Sequence, residues 1–457
     1  MAAGPQPLPT VPPPLAPERP VAWPRRAVHT LANGLRVVLV ESHTIPKISI
    51  ELFFRSGNAA ATRIRPGLAE LTAAVVRTGT ATRTGPQIEE SLRRMGAELS
   101  TSAGADTTAI VLSGLAEFAE GLFELADDLA RNASFPPEEF ERERRQMLEE
   151  LRIQRTTPAF LAGERLRRVL FGAHPYGLAA PAESDVVAYR REELEQFYRE
   201  HYVAGDAVLL VVGDFSAERL LELIEQRFGR WPARQPPAPP SAPLPELRGR
   251  RVYLVHLPDA VQTQVLVGNR AITRPHPDWQ RLAVANAIYG GAFHSRLVMN
   301  IREQKGYTYS PRSSVHALRE HGYLTVAAAV RNEVVAATLA EIFYEVDRLR
   351  ALPVAEEELA DMQQYLCGVF ALGLATQEGL LSQLATVYLH GLPEDYLETY
   401  RERVRAVGRE DVLAAARRYF DSPNMQIVLV GDRARVAEQA ALFGEVELYD
   451  AQGNRLE

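Results

Sequence analysis

The stretch HYVAGDAVLLVVGD, residues 201–214, decides the fold because the chain contains a second version of it, YFDSPNMQIVLVGD, at residues 419–432. Each copy follows a segment with the spacing of an amphipathic helix and consists of a short loop, an apolar run and a Gly-Asp turn. A short apolar run between turn residues is typical of a buried strand. The copies lie 218 residues apart, which predicts two similar halves and excludes a solenoid of short repeats.

Other segments repeat in the same order within each half. The strand-like KISIELFFRSGN (47–58) precedes a helical pattern from residue 67, and TQVLVGNRAI (263–272) precedes one from about Asp278. Each half continues with a further strand and a long helix pair, and Asn33-Gly34 predicts an early hairpin turn. These patterns predict an α+β fold in which each half is a mostly antiparallel β-sheet with helices packed on one face.

Proline content sets the predicted domain boundaries. Residues 231–247 hold seven prolines and read as a semi-rigid linker between the halves. The linker separates an N-terminal domain, 24–230, from a C-terminal domain, 248–457. Residues 1–23 are also rich in proline and predict a disordered arm.

Composition narrows the function classes. The net charge of −7 argues against nucleic acid as a partner, because phosphate binding needs a basic face. The single cysteine, Cys367, excludes an internal disulfide framework. No apolar run is long enough for a membrane span, and the first residues lack the pattern of a signal peptide. We therefore expect a cytoplasmic protein, with the periplasm as the alternative if an export signal has been removed.

Three further stretches carry the candidate chemistry: GLAELTAAVVRTGT (67–80), FERERRQMLEEL (140–151) and GGAFHSRLVMNIREQKGYTYS (290–310). Their order and spacing resemble the pitrilysin/insulinase family of zinc peptidases, the inverzincins, in the small-subunit form that includes the subunits of mitochondrial processing peptidase. The resemblance covers about residues 24–450.

In that family the first stretch is a helix with the sequence His-x-x-Glu-His, whose histidines bind zinc and whose glutamate activates the zinc-bound water. The glycines and small residues of 67–80 fit this frame, but Glu70, Ala73 and Ala74 stand at the three functional positions. The resemblance therefore implies that this chain holds no metal or other cofactor and is not an enzyme by itself.

The second stretch retains the acidic part of the family site. The resemblance places Glu150 at the third zinc ligand, 76 residues beyond Ala74, and Glu143 at a supporting acid seven residues earlier. Both lie on one face of a predicted helix. Two alternatives stay open, because these acids also suit a solvated helix face, and together with Glu70 they suit a hard cation better than zinc. Family members also use an Asn-Ala pair on a substrate-binding edge strand, where this chain has Ser100-Thr101.

The third stretch closely resembles the second-half signature of the family. Its Arg302 and Tyr309 are seven residues apart, as that signature requires, whereas Tyr307 does not have the required spacing. In active relatives this Arg/Tyr pair reaches across to the zinc site and donates to the substrate and the developing oxyanion. The alternative is a structural ion pair at Arg302 and a packed Tyr309.

The zinc-binding motif is missing, whereas the Arg302/Tyr309 signature is retained. This combination predicts the non-catalytic subunit of a heterodimeric zinc metallopeptidase. A homologous partner subunit is expected to carry the zinc, this chain is expected to supply Arg302 and Tyr309, and unfolded peptides are the expected substrates. The alternative function is a structural or peptide-binding scaffold without a peptidase role. A stand-alone hydrolase lacks support, since the sequence has no Gly-x-Ser-x-Gly motif or credible Cys-His arrangement.

Overall fold

The computed structural model describes residues 23–456, so the predicted arm lies outside the described residues except for Trp23. Within them, the N-terminal half contains strands β1 Arg26–Thr30, β2 Arg36–Glu41, β3 Lys47–Phe54, β4 Glu98–Ala103, β5 Thr108–Leu115 and β6 Ala207–Gly213. Its helices are α1 Asn58–Ala61, α2 Leu68–Val76, α3 Gly85–Arg94, α4 Ala119–Asn132, α5 Pro137–Gln154, α6 Pro158–Phe171, α7 Glu183–Ala188, α8 Arg191–His201 and α9 Ala217–Phe228.

The C-terminal half repeats this plan. Its strands are β7 Arg251–His256, β8 Gln262–Ala271, β9 Arg312–Ala317, β10 Gly322–Arg331, β11 Gln426–Gly431 and β12 Glu445–Tyr449. Its helices are α10 Trp279–Asn286, α11 Val335–Ala351, α12 Glu356–Gly373, α13 Gln377–Leu389, α14 Tyr400–Arg405, α15 Arg409–Tyr419 and α16 Arg433–Ala441. Two π-helical turns, Ala287–Gly291 and Val298–Gln304, follow α10.

Each half forms one six-stranded sheet, and the two sheets share a topology. The strand orders are β1-β2-β6-β3-β5-β4 and β12-β7-β11-β8-β10-β9, so five strands of each sheet correspond in sequence order and position. Neighbouring strands are antiparallel except for β2 with β6, β7 with β11 and β7 with β12. The predicted fold class is confirmed: two similar α+β halves with mostly antiparallel sheets.

The halves exchange one helix each. Helix α13 of the C-terminal half packs on β3 and β6 of the N-terminal sheet, and α6 of the N-terminal half packs on β8 and β11 of the C-terminal sheet. The faces opposite α13 and α6 pack against helices of the same half. Strand β6 is therefore buried on both faces, and its run of apolar residues does not alternate with polar ones. The prediction that helices pack on one face of each sheet holds for the helices of the same half. It did not include the helix from the other half that covers the second face.

The predicted hairpin turn and the predicted linker both lie outside the helices and strands. Asn33 and Gly34 form the turn between β1 and β2, with Gly34 at φ +93°. No helix or strand of the described chain lies between Phe228 and Arg251, the region predicted as a linker. In residues 23–456 we also find no helix with the length and apolar character needed to span a bilayer.

Candidate degenerate metallopeptidase site

Helix α2 contains the three positions that the family resemblance assigns to zinc binding and catalysis. It follows Gly67, whose φ of +74° is left-handed and where an added Cβ would lie 2.7 Å from the Tyr189 hydroxyl oxygen. Leu71 and Val75 are buried in the core of the N-terminal half, which fixes the rotation of the helix. At the three functional positions, Glu70 is exposed, Ala73 is buried and Ala74 is half-buried.

The structure brings Glu70 and Glu150 into the same region. Helix α5 packs beside α2, and Gln146 holds the Glu150 carboxylate with a hydrogen bond of 2.9 Å. The surrounding protein raises the pKa of the Glu70 carboxyl even though that side chain keeps access to solvent, and the charge of Glu150 raises this pKa further. The acid at the third-ligand position therefore faces the first turn of the degenerate helix.

Ala74 and Glu143 line one cavity of about 480 Å³ between α2, α3, β4 and α5. Thr101 of β4 lies on its wall, whereas Ser100 points away from it because side chains alternate along a strand. Arg142 also enters this cavity and pairs with Glu143 at 2.7 Å. The Arg142 guanidinium therefore supplies the positive charge beside Glu143. Arg142 could not be singled out from the sequence because α5 contains several arginines.

Glu70, Glu143 and Glu150 do not bring their carboxylates together as a metal-binding group. Within residues 23–456, one group of three potential ligands has its ligand atoms within 4.8 Å of one another, and it consists of His174, Glu320 and His321. The Tyr176 backbone N–H donates to Nδ1 of His174 at 3.2 Å, so the ring proton is on Nε2, which donates to Glu320 at 3.2 Å. A metal would have to displace that proton. This group is therefore a hydrogen-bonded contact between the halves.

Arg302 and Tyr309 lie together on the surface of the C-terminal half. The π-helical turn ends near Gly306, whose φ of +63° reverses the chain and returns Tyr309 over Arg302. The Arg302 guanidinium lies 4.6 Å from the Tyr309 ring centre and 5.0 Å from the Phe293 ring centre. Tyr309 is 80% exposed, whereas Tyr307 packs against the core.

The described polar contacts of Arg302 lie in its own half. Its Nε is 3.2 Å from a carboxylate oxygen of Glu303, and its other contacts are the rings of Phe293 and Tyr309. Arg302 makes no hydrogen bond or ion pair with Glu70, Glu143 or Glu150 among the residues described. The expected roles of Arg302 and Tyr309 at a zinc site therefore stay predictions.

Strand β4 has a free edge in the described structure. It is the last strand of the N-terminal sheet and pairs only with β5. An open edge can accept an extended peptide through main-chain hydrogen bonds, which require no particular side chain. Ser100 and Thr101 therefore occupy the edge strand at which the family pattern has Asn-Ala.

Two family profiles match most of the chain. The profile described as "Insulinase (Peptidase family M16)" matches residues 36–180, and the profile described as "Peptidase M16 inactive domain" matches residues 188–366. The chain belongs to the insulinase family, peptidase family M16.

Some similar proteins are described as zinc proteases and another as an inactive domain. An uncharacterized zinc protease of Mycobacterium leprae is 26% identical over 85% of this chain and 87% of its own length. The uncharacterized zinc protease YmxG of Bacillus subtilis is 22% identical over 86% of this chain and 95% of its own. The crystal structure of a peptidase M16 inactive domain from Pseudomonas fluorescens has a TM-score of 0.83 at 25% identity, covering 89% of this chain and 98% of that one.

Proposed function

We propose that this chain is the non-catalytic subunit of a heterodimeric zinc metallopeptidase. The observation that carries the proposal is the contrast between two regions of one chain. Helix α2 has Glu70, Ala73 and Ala74 where zinc chemistry needs two imidazoles and a glutamate, whereas Arg302 and the exposed Tyr309 stay stacked together. A partner chain supplies the zinc in this proposal.

The geometry of the pair suits donation to a substrate. The rings of Phe293 and Tyr309 flank the Arg302 guanidinium, which restricts its rotamers before any substrate binds. The phenol of Tyr309 is open to solvent and can donate to an oxyanion that forms on a bound peptide. Loss of one such donor typically lowers kcat by about 100- to 1,000-fold, which corresponds to about 2.7–4 kcal/mol of activation free energy.

The zinc content of the isolated chain tests the proposal. We expect less than one zinc ion per chain and no peptide cleavage, because α2 offers no imidazole ligand. Mixing with a homologous subunit that carries His-x-x-Glu-His is expected to give cleavage. Metal analysis and a fluorogenic peptide assay measure both properties. Stoichiometric zinc with activity in the isolated chain would contradict the proposal, and a stable homodimer that never pairs with such a subunit would favour the scaffold function.

Tyr309→Phe tests the donor role in the reconstituted pair. We expect kcat to fall by about 100-fold with little change in KM, because the phenol acts on charge that develops in the transition state. Tyr307→Phe is the matched control, since Tyr307 is a neighbouring tyrosine that packs against the core. An unchanged kcat in Tyr309→Phe would remove Tyr309 from the site.

A further inference from the structure

A second cavity lies on the opposite face of the N-terminal sheet from α2. It has a volume of about 820 Å³ and is bounded by β3, β5, β4 and the start of α13. Beyond the edge strand β4 it extends to α3 and to Arg77 at the end of α2. Helix α13 covers β3 and β6 but leaves the outer faces of β5 and β4 open. Burial accordingly decreases across the sheet, from buried Ser49 on β3 through half-buried Ser113 on β5 to exposed Glu98 on β4.

Glu51 is the ionisable side chain on the floor of this cavity. Along β3, Ile50 and Leu52 pack into the core of the N-terminal half, so Glu51 between them points to the outer face. It lies beside Val111 of β5, which in turn lies beside Ser100 of β4. Glu51 is thus aimed into the cavity from the middle of β3, on the face that also carries Lys47 and Ser49.

Glu51 has no partner among the described residues. The three cations that line the cavity are each paired with an acid: Lys47 with Glu378, Arg77 with Glu89 at 3.3 Å, and Arg93 with Glu90, outside the cavity, at 2.9 Å. Glu98, at the exposed rim, has no ion pair among the described residues. Glu51 forms no hydrogen bond or ion pair within residues 23–456. Burial raises the pKa of its carboxyl to about 7, so an ionised Glu51 is costly to the empty protein.

The duplicated fold supplies an internal comparison. Glu51 pairs with Leu210 of β6, and the corresponding position of the C-terminal half, Leu266, pairs with Val428 of β11. Leu266 is buried under α6 in an apolar cluster. The fold is therefore compatible with leucine at this position, and the carboxyl of Glu51 has no structural role that the second half reproduces.

We infer that this cavity binds an ammonium or guanidinium group carried on an alkyl chain. Glu51 supplies the counter-charge for the cationic head group, and Val111 and Leu381 supply an apolar wall for the chain. The exposed carboxylate of Glu98 adds negative charge at the rim. The group can come from a free amine or from a lysine or arginine side chain of a peptide, because both present the same chemistry. Binding here is independent of any zinc-bearing partner.

Calorimetric titration of the full chain at pH 8 tests this site. The probes are 1,5-diaminopentane and a short lysine-containing peptide, with 1,5-pentanediol and the same peptide containing norleucine as neutral controls. We expect saturable binding of one or both cationic probes at one site per chain and none of the neutral probes. Binding of only one cationic probe identifies the source of the group and supports the site.

Variants of Glu51 assign the binding to the cavity. Glu51→Leu is expected to weaken cation binding by about 10- to 100-fold, the range for loss of a charged hydrogen-bond partner. Glu51→Gln, which keeps the size of the side chain, is expected to weaken it similarly. Glu89→Gln is the control, because it removes a carboxylate of the same cavity that is already paired with Arg77. The affinity of this variant for the cationic probes should stay within about threefold of the wild type, since exposed ion pairs contribute little. No binding of either cationic probe, or equal binding to the wild type and both Glu51 variants, would overturn the proposal.

Discussion

The triple variant Glu70→His/Ala73→Glu/Ala74→His is expected to bind one zinc ion per chain, in contrast to the wild type. Residues 70 and 74 are separated by one helical turn, so two imidazoles there would share a face of α2. The charge of Glu150 on the adjacent helix raises the pKa of Glu70, so the two side chains lie near each other, and the family resemblance assigns the third-ligand position to Glu150. Zinc binding measured by competition with a chromogenic chelator is the test.

Two further variants make the result specific. Adding Glu150→Ala to the triple variant should weaken zinc binding by at least about 100-fold, because loss of even an outer-shell partner costs up to that amount. Ala73 is buried, so its replacement by glutamate carries a risk of misfolding. The double variant Glu70→His/Ala74→His avoids this risk and should still bind zinc through Glu150. Failure of the folded double variant to bind zinc would show that Glu150 is not placed to act as a ligand.

Local sequence patterns were sufficient for the architecture of each half. The two versions of one strand-and-turn segment predicted the duplication, and the turn at Asn33-Gly34 formed where expected. The exchange of α6 and α13 was not predictable, because an amphipathic helix pattern shows that a face is buried but not which sheet buries it. The unbroken apolar run of β6 was the available signal that both faces of that strand are covered.

The candidate site was predictable to the extent that a spacing rule existed for it. The distance in sequence between Ala74 and Glu150 anticipated that α5 would lie near α2. The seven-residue spacing selected Arg302 and Tyr309 as a pair but did not predict that the guanidinium stacks on the Tyr309 ring. No such rule covers Glu51, His174 or Glu320. Their surroundings come from strand register and from contacts between the halves, which depend on the whole chain. The only sequence signal for Glu51 was an acid between the apolar residues Ile50 and Leu52 of KISIELFF.

Replacing Glu51 by leucine is expected to stabilise the protein at pH 8 by about 3 kcal/mol more than at pH 4. In the folded chain the pKa of Glu51 is about 7, above its ordinary value of 4.5, so the folded state holds this proton more tightly than the unfolded state. Below pH 4.5 both states are protonated and Glu51 is tolerated. Between pH 4.5 and 7 the free energy of unfolding of the wild type falls relative to the variant, by about 1.4 kcal/mol per pH unit.

Chemical denaturation of the wild type and the variant across pH 4–9 measures this difference. Lys47, Glu378 and Glu98 also line the cavity, but they are present in both proteins, so their titration largely cancels in the comparison. Glu51→Gln separates the charge from the packing, because it removes the titration without adding the apolar surface of leucine. Relative to the wild type, the free energy of unfolding of both variants should rise by the same amount between pH 4 and pH 8. At pH 4 only Glu51→Leu should be more stable than the wild type. If the difference between the wild type and Glu51→Gln does not change with pH, Glu51 does not titrate near pH 7, and the carboxyl has a partner that neutralises the effect of burial.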